Sequence, residues 1–316
     1  MGRYLLWRAG QAVFVLWAAY TLSFAILFAL PSDPAEVMAG PNSGLTPDQL
    51  ADMRADLGLD RPVIDQYLGR LGHVLRGDLG QSVQSREQVS HLIGQAWPQT
   101  AQITGAGLAL GLTAGTGLAL TASLVRSRRL QQALLTVPPL GIALPSFWVG
   151  LLLLQQFSFH WHLFPAFGND GFAALVLPSL TLALPATALI AQLLSRSLQS
   201  ELRRSYIDTA RAKGVRRSAV HVRHALRNAV LPALTMAGLL VGGMLSGSVV
   251  VETVFSRDGV GRLIATAVSR QDLPLVQGLV LLGAAVFATV NLLVDLLYTV
   301  LDPRIGRTGG ASPEAN

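Results

Sequence analysis

Residues 195–228 read SRSLQSELRRSYIDTARAKGVRRSAVHVRHALRN. This stretch carries nine of the chain's 24 Lys+Arg residues, and its only acids are Glu201 and Asp208. A long run without charge lies on either side, residues 172–194 before it and 229–251 after it. A loop this basic between two runs of membrane-spanning length is held on the cytoplasmic side, because loops rich in Lys and Arg resist translocation. A series of membrane spans is therefore expected on either side of this loop.

Composition agrees with that reading. The chain has 316 residues, 51% hydrophobic and 13% charged, with mean hydropathy +0.46. A soluble domain averages about 25% charged residues. The pI near 10.4 suggests nucleic acid at first sight. The arginines, however, concentrate in loops between apolar runs, which is a topological pattern rather than a nucleic-acid-binding face. Cysteine is absent, so disulfides, thiolate metal sites and Cys nucleophiles are excluded. The one lysine, Lys213, is followed by Gly214. A phosphate-binding P-loop needs Gly-Lys-Ser/Thr, so the chain carries no nucleotide site of that kind.

Residues 9–30 form a 22-residue run without charge, ~33 Å long as a helix and enough for the hydrocarbon core. It is too long for a signal-peptide core, and Pro31-Ser32-Asp33-Pro34 offers no small-x-small cleavage site, so an uncleaved first span is expected. Further spans are expected at about 98–125, 130–157, 172–194, 229–251 and 275–301. The third contains Pro138, Pro139 and Pro145 and should be kinked or broken. Six spans put both termini on one side. That side receives sixteen Lys+Arg and the other eight, so both termini and the 195–228 loop are expected in the cytoplasm.

The segment between the first two spans carries its own helical signals. Thr46-Pro47-Asp48-Gln49 has the form of a capping box with Pro at the first helical position, and Gly58 is placed to end that helix. Val63, Ile64, Tyr67, Leu68, Leu71, Val74 and Leu75 recur at helical spacing. Ser85 to Gln88 reads as a second capping box. A small, mildly acidic helical subdomain is expected outside the membrane.

Hydrolytic chemistry finds little support. None of the six histidines lies in a His-Glu-x-x-His pattern. His160-Trp161-His162 reads as an interfacial belt more readily than as a metal contact, and His221 and His224 as solvated loop residues. Ion-coupled transport predicts paired ionisable groups at membrane depth. Only Asp295 lies within an apolar run, in Val290-Asn291-Leu292-Leu293-Val294-Asp295, near the end of its span. For Asp295, with Asn291 one turn before it, a structural or gating role is favoured over a proton or sodium site. Small residues recur at four-residue spacing in Gly107, Gly111 and Gly115, in Gly238, Gly242 and Ser246, and in Gly243 and Gly247. Ordinary close helix packing explains them more simply than a moving seam between subunits.

Within the basic loop, Ser205 is expected to cap a helix with Asp208 at its third position, running over 206–213 and stopping at Gly214. Eight residues make an isolated helix marginal in water, so packing on its own spans or on a partner must hold it. A second helix is expected from about Ser218 into the fifth span, bent near Pro232.

These residues carry a resemblance. Asp208-Thr209-Ala210-x-x-x-Gly214, leading to Leu231-Pro232, resembles the EAA loop of permease subunits in bacterial ABC importers, and 206–232 resembles their dipeptide, oligopeptide and nickel branch. The likeness extends along nearly the whole chain. It includes Pro31-Ser32-Asp33-Pro34, Leu57-Gly58-Leu59-Asp60-Arg61-Pro62, Arg76-Gly77-Asp78-Leu79-Gly80-Gln81-Ser82, Leu144-Pro145-Ser146-Phe147-Trp148, Val251-Glu252-Thr253-Val254-Phe255, Leu293-Val294-Asp295-Leu296-Leu297-Tyr298 and Asp302-Pro303-Arg304. Asp208 and Thr209 replace the Glu and first Ala of the name-giving motif. Arg257-Asp258-Gly259 stands where the branch commonly has Trp-Pro-Gly.

The resemblance implies an all-α integral membrane protein with the six-span type I importer permease fold and a small helical extracytoplasmic subdomain. Its parts would be the N-terminus with the first span (1–30), the outer subdomain (31–96), the permease domain (97–302) and a cytoplasmic tail (303–316). It implies a second permease subunit, two ATPase subunits, an extracytoplasmic binding protein and surrounding lipid as partners, and no nucleic acid. Tyr206, Asp208, Thr209, Ala210, Arg211, Ala212, Lys213 and Gly214 would form the coupling helix seated in an ATPase cleft. ATP and magnesium would be bound by the ATPases, leaving this chain without catalytic residues, cofactor or metal of its own. ATP-driven closure of the ATPases would move the coupling helices and open the pathway outward, and hydrolysis would reset it. The implied cargo is a peptide or related small solute, with nickel or a metal chelate as the alternative.

Overall fold

The computed structural model describes residues 2–29, 46–56 and 60–301. The expected stop at Gly58, the Pro31–Pro34 and Leu57–Leu59 motifs and the tail 303–316 lie outside these residues. The regular structure described is helical, apart from one isolated bridge between Gln81 and Gln88. Among the described residues, five helices are long and apolar enough to cross a membrane: Leu6–Ile26, Val89–Leu124, Gly171–Glu201, Leu231–Val254 and Leu273–Leu296. A sixth crossing results if Arg128–Ala143 and Ser146–His160, bent by 102°, are taken as one span. The bend has a local cause. Leu144 is extended, with ψ 128, as a residue before proline prefers, and Pro145 starts the next helix. Pro138 and Pro139 stay inside the first of the two helices.

The chain divides into two compact units, each described by itself. One contains residues 99–261 and 289–301, the other residues 2–98 and 262–288.

The first unit is built on the Gly171–Glu201 helix. Its residues Leu177, Leu182, Ala186 and Ile190 join Ile103, Leu154, Ala233, Leu240, Met244, Val251 and Phe255 in one buried cluster. Between lipid-bathed helices the hydrophobic effect adds little, so close van der Waals packing must supply the association. The Gly107/Gly111/Gly115 stripe provides it. A Cβ at Gly111 would lie 2.7 Å from Ala186 Cβ, and one at Gly115 would lie 2.9 Å from Ile190 Cβ. The stripe is thus a seam within the chain. A second cluster, of Ala119, Leu194, Leu198, Ile207, Val220, Ala225 and Ala229, sits where the basic loop joins its spans.

The second unit holds the first helix and the helices that follow it. Thr46 N donates to Gln49 Oε1 at 2.9 Å and Gln49 N to Thr46 Oγ1 at 3.4 Å, the reciprocal box expected before the helix Pro47–Asp56. The helix Val63–Leu75 meets the first span through Tyr67. Its carbonyl accepts from Tyr20 Oη at 3.0 Å, and its ring lies tilted against Tyr20 and edge-on to Phe24. The second capping box is a correction. Ser85 does not cap the helix that starts at Val89; its hydroxyl takes Glu87 N. Ser82 organises this turn instead, accepting from Ser85 N and donating to buried Asp272. Asp272 also accepts from Val83 N and Gln84 N, and from Leu275 N in the first turn of the last helix. An Asp just before Leu273-Pro274 is a recognisable N-cap, and that signal was available in the sequence.

Candidate functional site

The basic loop begins where the Gly171–Glu201 helix ends. The short helix that follows is Ser205–Ala212. Its N-cap is Arg204, extended at ψ 146, and no side chain bonds the open N–H groups. Ser205 is therefore the first helical residue rather than the cap, and its carbonyl accepts from Thr209 Oγ1 at 3.2 Å. Asp208 does lie in the first turn, where a carboxylate complements the helix dipole. It pairs at 3.1 Å with Arg211, both side chains exposed. At the other end Gly214 has φ +73, a conformation that suits glycine. Gly214 N bonds Arg211 O at 2.9 Å and Val215 N bonds Ala210 O at 3.2 Å, closing the helix as a glycine stop does.

The expected site residues divide between two faces. Ile207 is buried against the chain's own Leu194, Leu198, Val220, Ala225 and Ala229, and Ala210 is also buried. Asp208, Thr209, Arg211, Ala212, Lys213 and Gly214 are exposed. Tyr206 belongs to neither group entirely: 37% of it is exposed, yet its hydroxyl is engaged twice. It donates to Glu201 Oε2 at 2.8 Å and accepts from Asn228 Nδ2 at 3.1 Å. Glu201 is buried and also pairs with Arg204 Nε at 3.0 Å. Burial raises the Tyr206 pKa above its ordinary value. The Asn228 hydrogen bond opposes that shift and the Glu201 carboxylate adds to it, so the hydroxyl remains a donor at neutral pH.

Past Gly214 the chain forms Arg217–Ala219, a π-helical turn Val220–Ala225 and Leu226–Ala229 before the span Leu231–Val254. The helix expected from about Ser218 is present from Arg217, widened by the π turn, with its one break at Val230, two residues before Pro232. Pro232 lies in the first turn of the span, where its missing N–H costs nothing. His221, expected in solvent, is buried, with Nδ1 2.8 Å from Arg217 O. Arg217 Nη2 reaches Ser123 O at 3.4 Å, tying the loop to the end of the Val89–Leu124 helix.

Asn291 and Asp295 are half-buried and one turn apart on the last helix. Asn291 Oδ1 lies 3.5 Å from where a Gly238 Cβ would be, beside Val294. This places Asn291 on a helix seam rather than in the loop. His160, Trp161 and His162 are exposed. Among the described residues no three His, Asp or Glu are grouped to hold a metal ion.

At the opposite end of the Leu231–Val254 helix lies a polar knot that the sequence did not disclose. Arg257 is 1% exposed. Its Nη1 donates to Gly168 O at 3.3 Å and Ala174 O at 3.1 Å, and its Nη2 to Gln99 Oε1 at 2.7 Å. Glu252, fully buried, accepts from Thr100 Oγ1 at 2.6 Å, and that same hydroxyl accepts from Val260 N at 2.8 Å. Burial lowers the guanidinium pKa, while the Glu252 and Asp258 carboxylates oppose that shift.

The described helices, five of them long and apolar enough to cross a membrane, suit an integral membrane protein. The family described as "Binding-protein-dependent transport system inner membrane component" matches residues 107–307, and its N-terminal counterpart matches residues 1–104. The chain belongs to this family: it is a multi-pass inner-membrane permease of an ABC importer. It is 34% identical over 336 aligned positions to the dipeptide transport system permease protein DppB of Escherichia coli K12, covering 96% of this chain and 99% of that protein. It is 37% identical over 305 positions to the glutathione transport system permease protein GsiC of Salmonella choleraesuis, again over 96% and 99%. The MetNI methionine ABC transporter, in an inward-facing form, shares the fold with a TM-score of 0.57 at 15% identity, over 67% of this chain and 96% of that one.

Proposed function

We propose that this permease imports short peptides. It would act as one of two permease subunits, with two ATPase subunits on the cytoplasmic side and a binding protein outside. The peptide reading is favoured over nickel or a metal chelate because relatives at 34% and 37% identity along nearly their whole length are named for dipeptide and glutathione. The bent pair counts as one of six spans. Both termini and the 195–228 loop face the cytoplasm, where the Lys and Arg excess lies. Segment 31–96 stands outside as a helical subdomain, residues 97–302 form the permease domain, and 303–316 is a cytoplasmic tail. Tyr206 to Gly214 is the coupling helix. ATP and magnesium belong to the ATPases, and this chain contributes no catalytic group or cofactor. Asn291 and Asp295 serve structure or gating.

The observation that carries the coupling role is the two-faced Ser205–Ala212 helix. Its apolar side is buried in the chain's own cluster, and its other side is open in a loop of nine basic residues. The test uses the open side. Ala212→Arg should strip the ATPases from the purified complex and abolish uptake, with membrane insertion intact. Unchanged ATPase co-purification and normal uptake would overturn the assignment. Uptake should also require ATP and persist in Asp295→Asn without dependence on a proton gradient; strict proton dependence lost in that variant would reverse the reading of Asp295.

A further inference from the structure

The strongest unassigned feature of the loop is the double engagement of the Tyr206 hydroxyl. We infer that Tyr206 is a positioning residue that locks the coupling helix to both flanking spans, so that helix and spans move as one body. This rests on the coupling-helix reading above.

The helix has eight residues and no side-chain cap, so it does not hold its own shape or orientation in water. Its apolar side is buried at Ile207 and Ala210, and Ile207 rests on a cluster of Leu, Val and Ala. Such contact is non-directional. It resists separation, but it lets a short helix roll or slide when pushed from its open side. Hydrogen bonds constrain direction as well as distance. The Tyr206 hydroxyl supplies two of them, and they run to different parts of the chain. Glu201, at 2.8 Å, is the last residue of the Gly171–Glu201 span. Asn228, at 3.1 Å, belongs to the segment that leads into the Leu231–Val254 span. Glu201 is itself buried and held by Arg204, so the acceptor is fixed. One phenol thus joins the end of one span, the first turn of the helix and the approach to the next span. The other side-chain bonds of this helix, Thr209 to Ser205 and Arg211 to Asp208, stay within it.

The test uses the assembled transporter with its own ATPases. The chain has no cysteine, so paired spin labels can be placed cleanly at Ser205→Cys with Arg196→Cys, and at Ser205→Cys with Arg227→Cys. All three positions are exposed. With Tyr206 present, both distance distributions should stay narrow with and without ATP and vanadate. Tyr206→Phe should keep wild-type ATPase co-purification but broaden both distributions. The ATP hydrolysed per labelled dipeptide imported should rise about fivefold. Glu201→Gln retains a side-chain acceptor and should remain narrow, whereas Glu201→Ala should match Tyr206→Phe. Narrow distributions in Tyr206→Phe would overturn the proposal. Loss of the ATPases in that variant would also overturn it, because the hydroxyl would then serve docking rather than transmission. Failure of the coupling-helix reading is seen separately, as retention of the ATPases in Ala212→Arg.

Discussion

The span Leu231–Val254 is fastened differently at its two ends. At one end a buried guanidinium and a buried carboxylate, Arg257 and Glu252, meet groups from residues 99–100, 168–174 and 260. At the other end an apolar cluster and one partly exposed phenol hold the basic loop. A buried charge with its partners in place is costly to disturb, and removing one partner leaves the others stranded. An apolar contact backed by a few hydrogen bonds gives way more easily. The difference teaches where stability is concentrated: substitutions in the knot should act mainly on folding, and substitutions in the loop mainly on the proposed coupling.

The largest expected effect is Arg257→Ala. It leaves the Gly168 and Ala174 carbonyls and Gln99 without their donor and Glu252 without the neighbouring positive charge. Orphaned buried polar groups cost about 1–3 kcal/mol each. The thermal midpoint of the detergent-purified complex should therefore fall by the equivalent of about 3 kcal/mol or more. Arg257→Met restores bulk without donors and should recover only part of the loss. A Met variant as stable as wild type would erase the contrast between the two ends.

Gly261→Ala comes next. The added Cβ would lie 2.6 Å from the Val249 backbone, which no side-chain rotation relieves. Overpacking of this kind costs about 1–3 kcal/mol. The same midpoint measurement checks it, and an unchanged midpoint would mean that this end yields as readily as the loop.

The two ends also differ in how far the sequence reveals them. The uncharged runs, Pro145 and Gly214 announced the spans, the bend and the helix stop, because each acts through local chain chemistry. The loop's place between two uncharged runs followed from the charge pattern alone. Its details did not. His221 was read as solvated from its place in a basic loop, whereas the fold buries it in a π turn. Ser205 offered a good cap by composition, but the helix starts one residue earlier than that geometry needs. The knot was less legible still. An arginine after a span reads as solvated, and its acceptors at Gly168 and Ala174 lie more than eighty positions away. Only the departure from Trp-Pro-Gly marked the site, without saying what replaced it. Tyr206 was picked out as part of the proposed coupling helix, while its tie to Asn228, 22 residues on, needed the fold.

Gly214→Ala tests the loop's own backbone. The residue has φ +73 and nothing within 4 Å of a Cβ, so strain acts without a clash. The expected cost is about 1 kcal/mol, small beside the knot variants. Coupling should suffer more than stability, because the strain is relieved most simply by unwinding the last turn of the helix. ATP hydrolysed per solute imported should rise while the thermal midpoint moves little. A drop in stability matching Arg257→Ala would show that the loop end bears as much of the fold as the knot.

The smallest expected effect belongs to Asp208→Asn. Its carboxylate pairs with Arg211 on the open face, both exposed at 69% and 51%. Exposed pairs one turn apart contribute about 0.3–0.5 kcal/mol and are screened by salt. The favourable placement at the helix start adds a similar amount. The thermal midpoint should therefore barely change. Because Asp208 faces away from the chain's own cluster, any effect on ATPase retention must act through the partner rather than through folding. Retention that weakens as salt is raised in wild type, and loses that dependence in Asp208→Asn, would assign the carboxylate to the docking face. Identical salt curves would leave the other exposed residues, Thr209, Arg211, Ala212 and Lys213, as the contacts that matter there, and would confine the role of Asp208 to its own helix.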